Sequence, residues 1–120
     1  MKTLIAEDDP LLSSILANSI RTAGIEVVCA YDGEEAIEKV RSIKPDVILL
    51  DILMPKKDGF AVLEEMKSDP SLSHIRVIVL SNVAESGEVD RARTYGVLDY
   101  LVKANTTPDV IAEKVKSVQI

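Results

Sequence analysis

The run Val47-Ile48-Leu49-Leu50 is apolar without a break and ends in Asp51. A loop signal follows at once, Met54-Pro55-Lys56-Lys57-Asp58-Gly59. A short continuous apolar run bounded by turn residues reads as a strand buried on both faces, as in the middle of a parallel sheet. A carboxylate at the end of such a strand is costly unless it is paired, bound to metal or chemically used. The first apolar run, Thr3-Leu4-Ile5-Ala6, is closed by an acidic pair, Asp8-Asp9. Strand ends in a parallel sheet share one edge, and that edge is where α/β proteins bind their ligands. Asp8, Asp9 and Asp51 are therefore expected as neighbours, although they are far apart in the chain.

Apolar runs alternate with helical patterns from end to end. Strands are expected at 2–7, 26–31, 46–51, 76–81 and 98–102, and helices at about 10–23, 33–43, 59–67, 86–95 and 108–119. Five βα units predict an α/β domain, a doubly wound parallel sheet with helices on both faces and right-handed crossovers. A chain of 120 residues suits one domain, 1–120. No repeat, linker or low-complexity segment interrupts it. Asp9-Pro10 and Thr107-Pro108 read as helix starts, each a capping residue followed by proline at the first helical position. Asp32 with Glu35 reads as a variant capping box, and Gly24 and Gly96 as C-terminal stops.

The helices differ in how much they can bury. The first carries Leu12, Leu16 and Ile20, and the last Ile111, Val115 and Val118. The third carries Phe60, Leu63 and Met66. The fourth has only Val89, Ala92 and Tyr95, among Glu88, Asp90, Arg91 and Arg93. It is expected to be the least firmly anchored, and weakly anchored elements are the ones available to move.

Composition narrows the class. Aromatic residues make up 3%, so Leu, Ile and Val must fill the core, and the net charge of −6 argues against direct nucleic-acid binding. Cys29 is the single cysteine and cannot form an internal disulfide, which fits a reducing, cytoplasmic setting. No apolar stretch approaches the roughly 20 residues of a membrane span, and Met-Lys-Thr leads into the first strand without a signal peptide.

Four of the five expected strands end in a reactive or charged residue: Asp8-Asp9, Asp51, Ser81 and Lys103. Carboxylates crowded at one edge raise each other's pKa values, and a hard divalent cation relieves the conflict. Mg²⁺ takes oxygen ligands, usually one or two carboxylates with waters and a phosphate. A lysine ammonium and a serine hydroxyl are what a phosphoryl group would want nearby. The spacing suggests Mg²⁺-assisted phosphoryl chemistry with a carboxylate as acceptor.

Glu7-Asp8-Asp9, Leu50-Asp51-Ile52-Leu53-Met54-Pro55 with Asp58-Gly59, Ser81, and Tyr100-Leu101-Val102-Lys103 stand in that order at successive strand ends. Together they resemble a two-component response regulator receiver domain, of the single-domain chemotaxis-regulator kind, from Met1 to the last helix. The resemblance implies a flavodoxin-like fold with strand order 2-1-3-4-5. It implies a phospho-acceptor switch rather than an enzyme, in which Asp51 takes a phosphoryl group from a sensor histidine kinase or histidine phosphotransfer protein. Asp9, Asp51 and the Leu53 carbonyl are implied as Mg²⁺ ligands, with Asp8 acting through a water. Lys103 is implied to pair with the phosphoryl oxygens, and Ser81 to shift toward them while Tyr100 turns inward. A downstream protein would then read the surface of the fourth helix, fifth strand and fifth helix, on a monomer or a phosphorylation-dependent dimer.

Two positions depart from the family pattern: Asn82 stands where a small residue is usual, and Ala104 where proline is usual. Leu53, Asn82 and Val83 occupy positions that tune phosphoryl lifetime, and the apolar Leu53 and Val83 are expected to shield the acyl phosphate from water. The alternative is a pseudo-receiver, a protein-interaction module that never uses phosphate. Blander readings stand beside the sharp ones. Asp9 caps the first helix in either case, and Tyr100 reads equally as a switch or as a half-buried strand residue. His74 reads as a surface residue, Cys29 as core, and Glu34-Glu35 and Glu64-Glu65 as solvated helix faces.

Overall fold

A computed structural model of the chain describes residues 1–82 and 85–118. Five strands, β1 (Lys2–Ala6), β2 (Glu26–Ala30), β3 (Val47–Asp51), β4 (Arg76–Ser81) and β5 (Asp99–Val102), alternate with α1 (Pro10–Thr22), α2 (Gly33–Ile43), α3 (Gly59–Ser68), α4 (Ser86–Thr94) and α5 (Pro108–Lys116). The strands form one sheet in the order β2-β1-β3-β4-β5, and every neighbouring pair is parallel. This is the doubly wound, flavodoxin-like arrangement. A single turn of 3₁₀ helix, Lys103–Asn105, joins β5 to α5.

Strand alternation sorts the core into two layers. Leu4, Ala6, Ile48, Leu50, Val77 and Val79 pack on one face with α2, α3 and Ala92 of α4. Ile5, Val47, Leu49, Ile78, Leu80 and Leu101 pack on the other with α1 and α5. β3 sits at the centre and is buried at all five positions, as its unbroken apolar run requires. Burying each of its aliphatic side chains stabilises the fold by about 1.5–3 kcal/mol. Cys29 is half-buried against the α1/α5 layer.

The helix ends follow from their residues. Asp9 accepts the Leu11 and Leu12 N–H groups, Asp32 that of Glu35, Asp58 that of Ala61, and Thr107 that of Val110. Each cap satisfies N–H groups that have no partner within the helix. Gly24 and Gly96 take positive φ just beyond α1 and α4. α4 is the exception: Glu85 precedes it without a side-chain cap, and Ala92 is its only buried residue. Val89 and Tyr95 are half-buried. α5 ends at Lys116, short of the expected boundary, yet Val118 remains buried in the α1/α5 layer.

Candidate functional site

Alternation decides which strand-end side chains meet. Asp51 continues the Val47-Leu49 side of β3, and Glu7, one residue past β1, continues the Ile5 side. β1 and β3 are in register, Ala6 beside Leu50, so Glu7 and Asp51 come next to each other. The Glu7 N–H donates to the Ala30 carbonyl at 3.0 Å, which extends the ladder and pins the residue. Glu7 is 1% exposed and Asp51 3%. Lys103 follows β5 on the Leu101 side. Its Nζ lies 2.5 Å from Glu7 Oε1 and 3.1 Å from Asp51 Oδ2.

A carboxylate oxygen from each of Glu7, Asp8 and Asp51 lies within 4.8 Å of the others. Asp8 is exposed, so the cluster opens to solvent on one side. Asp9 is not in this group. Its Oδ1 accepts the Leu11 N–H at 3.0 Å and the Leu12 N–H at 3.4 Å, and its own N–H donates to Glu7 Oε2 at 3.0 Å. The cap uses Asp9 Oδ1 alone, so it is its distance from the other carboxylates, and not the cap, that sets Asp9 apart from the cluster. The residue that joins the cluster instead is Glu7. Strand period places Glu7 on the Ile5 face, but only the β1–β3 register shows that Asp51 shares it.

Crowding shows in the acid–base balance. Burial pushes Glu7 up to about 7, against the pull of Lys103 and the Asp9 N–H, and the Asp51 charge adds to the rise. Burial also raises Asp51, with Lys103 opposing. Burial alone would lower Lys103, but Glu7 and Asp51 outweigh it and hold the ammonium above its ordinary range.

Ser81 ends β4 on the opposite face, 2% exposed, with Val102 as its register partner. Tyr100 is half-buried on that same α4 side, packed against the α2/α3/α4 layer. Leu53 is exposed at 61%, and its N–H donates to Asp51 Oδ1 at 3.3 Å. Asn82 is exposed beside Ser81. Val83 lies outside the described residues. Ala104 lies in the 3₁₀ turn, the described backbone has no cis peptide bond, and Lys103 still reaches Asp51.

The loop after Asp51 is held closely. The Gly59 N–H donates to the Ile52 carbonyl at 2.7 Å, and a Cβ at Gly59 would stand 2.5 Å from the Asp51 carbonyl oxygen. Lys56 pairs with Asp32, and Lys57 with Glu65. Glu65 also meets Arg41, and Glu35 accepts the Tyr31 N–H and faces Lys39, so both glutamates are engaged rather than merely solvated.

The family model for the response regulator receiver domain matches residues 3–116. The chain belongs to the response regulator receiver family. This receiver domain is 37% identical over 111 residues, 92% of the chain, to the transcriptional regulatory protein PdtaR of Mycobacterium tuberculosis, and spans 53% of that protein. It is 35% identical over 115 residues, 96% of the chain, to the gliding motility regulatory protein of Myxococcus xanthus, and spans 15% of it. The phosphorylated cyanobacterial phytochrome response regulator RcpA matches with a TM-score of 0.82 at 32% identity, over 98% of this chain and 89% of that one. No described helix is long and apolar enough to cross a membrane.

Proposed function

We propose that this receiver domain is a phospho-acceptor switch. Asp51 takes a phosphoryl group from a phosphohistidine on a sensor histidine kinase or histidine phosphotransfer protein, and the new charge alters the α4-β5-α5 surface for a downstream protein. One observation carries the reading. A buried carboxylate ends a central parallel strand, with an ammonium 3.1 Å away and two more carboxylates within 4.8 Å. Likeness to a relative described as phosphorylated supports it.

The donor set suits Mg²⁺, since every candidate ligand atom is a hard oxygen. Burial raises Glu7 and Asp51 despite Lys103, so ionising the cluster is costly until a cation joins it. Asp8, Asp51 and the Leu53 backbone carbonyl would hold the ion, with Glu7 as the third carboxylate and Asp9 as the cap that shapes the turn. When bound, Mg²⁺ supplies positive charge opposite the phosphoryl oxygens.

This chain's own groups do the rest. A carboxylate oxygen of Asp51 attacks phosphorus, the phosphorus–nitrogen bond to the imidazole breaks, and that electron pair stays on nitrogen. The product is an acyl phosphate on Asp51. The Lys103 ammonium donates to a phosphoryl oxygen as charge builds there. The Ser81 hydroxyl donates to another, and Tyr100 turns into the space beside it, biasing a two-state surface. Leu53, Asn82 and Val83 tune the lifetime of the acyl phosphate, and Leu53→Asn is expected to quicken its hydrolysis. The protein works in the cytoplasm without binding nucleic acid itself, as a monomer or a phosphorylation-dependent dimer.

Intact-mass analysis after incubation with acetyl phosphate, with and without Mg²⁺, tests the reading. A Mg²⁺-dependent adduct absent from Asp51→Ala is expected. No adduct, even with a panel of phosphorylated kinases, would replace the switch with a phosphate-independent interaction module.

A further inference from the structure

Among the described residues, the weakly held α4 carries one cation–π contact to α3. The Arg91 guanidinium lies over the Phe60 ring, 4.0 Å from its centroid. Phe60 is 4% exposed at the start of α3, in the layer that packs under α4. It also follows Gly59, whose backbone is pressed against the Asp51 carbonyl and hydrogen-bonded to Ile52. The ring is therefore fixed to the strand end that carries the acceptor. Arg91 is fixed to α4, which forms part of the proposed reading surface.

Apart from this contact, α4 is held by Ala92 and by the half-buried Val89 and Tyr95. It has nine residues, no side-chain cap at its N-terminus and one buried residue, Ala92. A nine-residue helix with glycine at its second position has little stability of its own. One contact works against the seat: Glu88 Oε2 is buried without a hydrogen-bond partner, which penalises this position of the helix. An element with few attachments and one unfavourable one sits close to balance, and a single stacking contact can then set its equilibrium.

We propose that the Arg91–Phe60 stack is the latch that holds α4 in its observed seat, and that releasing it favours phosphorylation of Asp51. The second half rests on the phospho-acceptor reading. If Asp51 takes phosphate from a state in which α4 has left this seat, a contact made only in the seat lowers the reactive population and slows phosphorylation by the same factor. Guanidinium–aromatic contacts at partly exposed sites correspond to shifts of about two- to tenfold.

Two variants and their combination test this. Arg91→Gln keeps much of the stem and removes the charge, and Phe60→Leu keeps an apolar side chain and removes the ring. Hydrogen exchange of the α4 amides, without phosphodonor, is expected to quicken about two- to tenfold in either variant. Exchange in α1 and α2 stays as in the parent. The double variant is expected to match the single ones, since both remove one contact. Unchanged α4 exchange, or additive effects in the double variant, would overturn the latch. A uniform rise across all helices would do the same, because it reports general destabilisation. The same proteins are then given acetyl phosphate and Mg²⁺. Arg91→Gln is expected to gain its adduct about two- to tenfold faster than the parent, and an equal or slower rate overturns the proposed effect on phosphorylation. A parent protein that takes no phosphate overturns the phospho-acceptor reading and with it that second half. The exchange result decides the latch independently.

Discussion

Lys103 stands closer to Glu7 than to the proposed acceptor: its Nζ is 2.5 Å from Glu7 Oε1 and 3.1 Å from Asp51 Oδ2. One ammonium is thus shared between two buried acids. Burial outweighs its pull at Glu7, which is driven up to about 7.

That shift fixes the sign of a pH effect. The fold favours the neutral form of Glu7, so its contribution to stability is complete below the ordinary carboxylate range and is lost as pH rises through about 7. Metal-free protein is expected to lose on the order of 1–3 kcal/mol from this group between pH 5 and pH 8, allowing for solvent screening. Urea denaturation at the two pH values should show a smaller loss in Glu7→Gln than in the parent. Mg²⁺ should raise the melting temperature more at pH 8 than at pH 6, because the cation favours the ionised cluster. Equal pH dependence in parent and variant would sink this account.

Asp51→Asn should stabilise the metal-free protein while abolishing the adduct. Burial makes the ionised carboxylate unfavourable, and the amide removes that charge at almost constant volume. A higher urea midpoint than the parent at pH 8 is expected. Leu50→Ala, one residue earlier in the same buried strand, should cost about 2–5 kcal/mol. Denaturation curves of the two variants should move in opposite directions.

Gly33 and Gly87 should respond oppositely to alanine. A Cβ at Gly33 would stand 2.0 Å from the Lys57 carbonyl oxygen, so the β3–α3 loop must shift. That loop carries the proposed Leu53 ligand, and Gly33→Ala is expected to cost about 1–3 kcal/mol and to weaken Mg²⁺ binding in titration calorimetry. A Cβ at Gly87 meets nothing within 4 Å, so Gly87→Ala should stabilise by about 0.5–1 kcal/mol through helix propensity. Parent-like Mg²⁺ affinity in Gly33→Ala would separate this loop from the metal site.

Thr3 is fully buried in β1 and its Oγ1 has no hydrogen-bond partner. Thr3→Val removes the unpartnered hydroxyl at nearly the same shape and suits a central strand. A gain of about 1 kcal/mol in thermal or urea unfolding is expected. A loss would mean that the hydroxyl is satisfied.

Much of this molecule is written locally. The 47–50 run specifies a doubly buried strand because period and composition are properties of neighbouring residues. Asp9-Pro10, Asp32 and Thr107-Pro108 mark helix starts because a cap acts within one turn. Given alternating βα units, the strand ends with Asp51, Ser81 and Lys103 must share an edge. The weak anchoring of α4 was also legible, since its sequence offers few apolar positions.

Which of three consecutive acids enters the site was not decided locally. Glu7, Asp8 and Asp9 are all carboxylates, and sequence adjacency favours none of them. The β1–β3 register turns Glu7 toward Asp51, and the geometry of the α1 cap draws the Asp9 oxygen to backbone N–H groups. A one-residue step reverses the face of a strand, so only pairing across the sheet makes that choice. Arg91 over Phe60 has the same origin, because the two residues lie on different helices and meet only through packing on a common sheet face. Periodicities a few residues long specify the elements and the edge at which they act. The tertiary structure decided which side chains face each other there, because register and helix docking join residues that no local pattern connects.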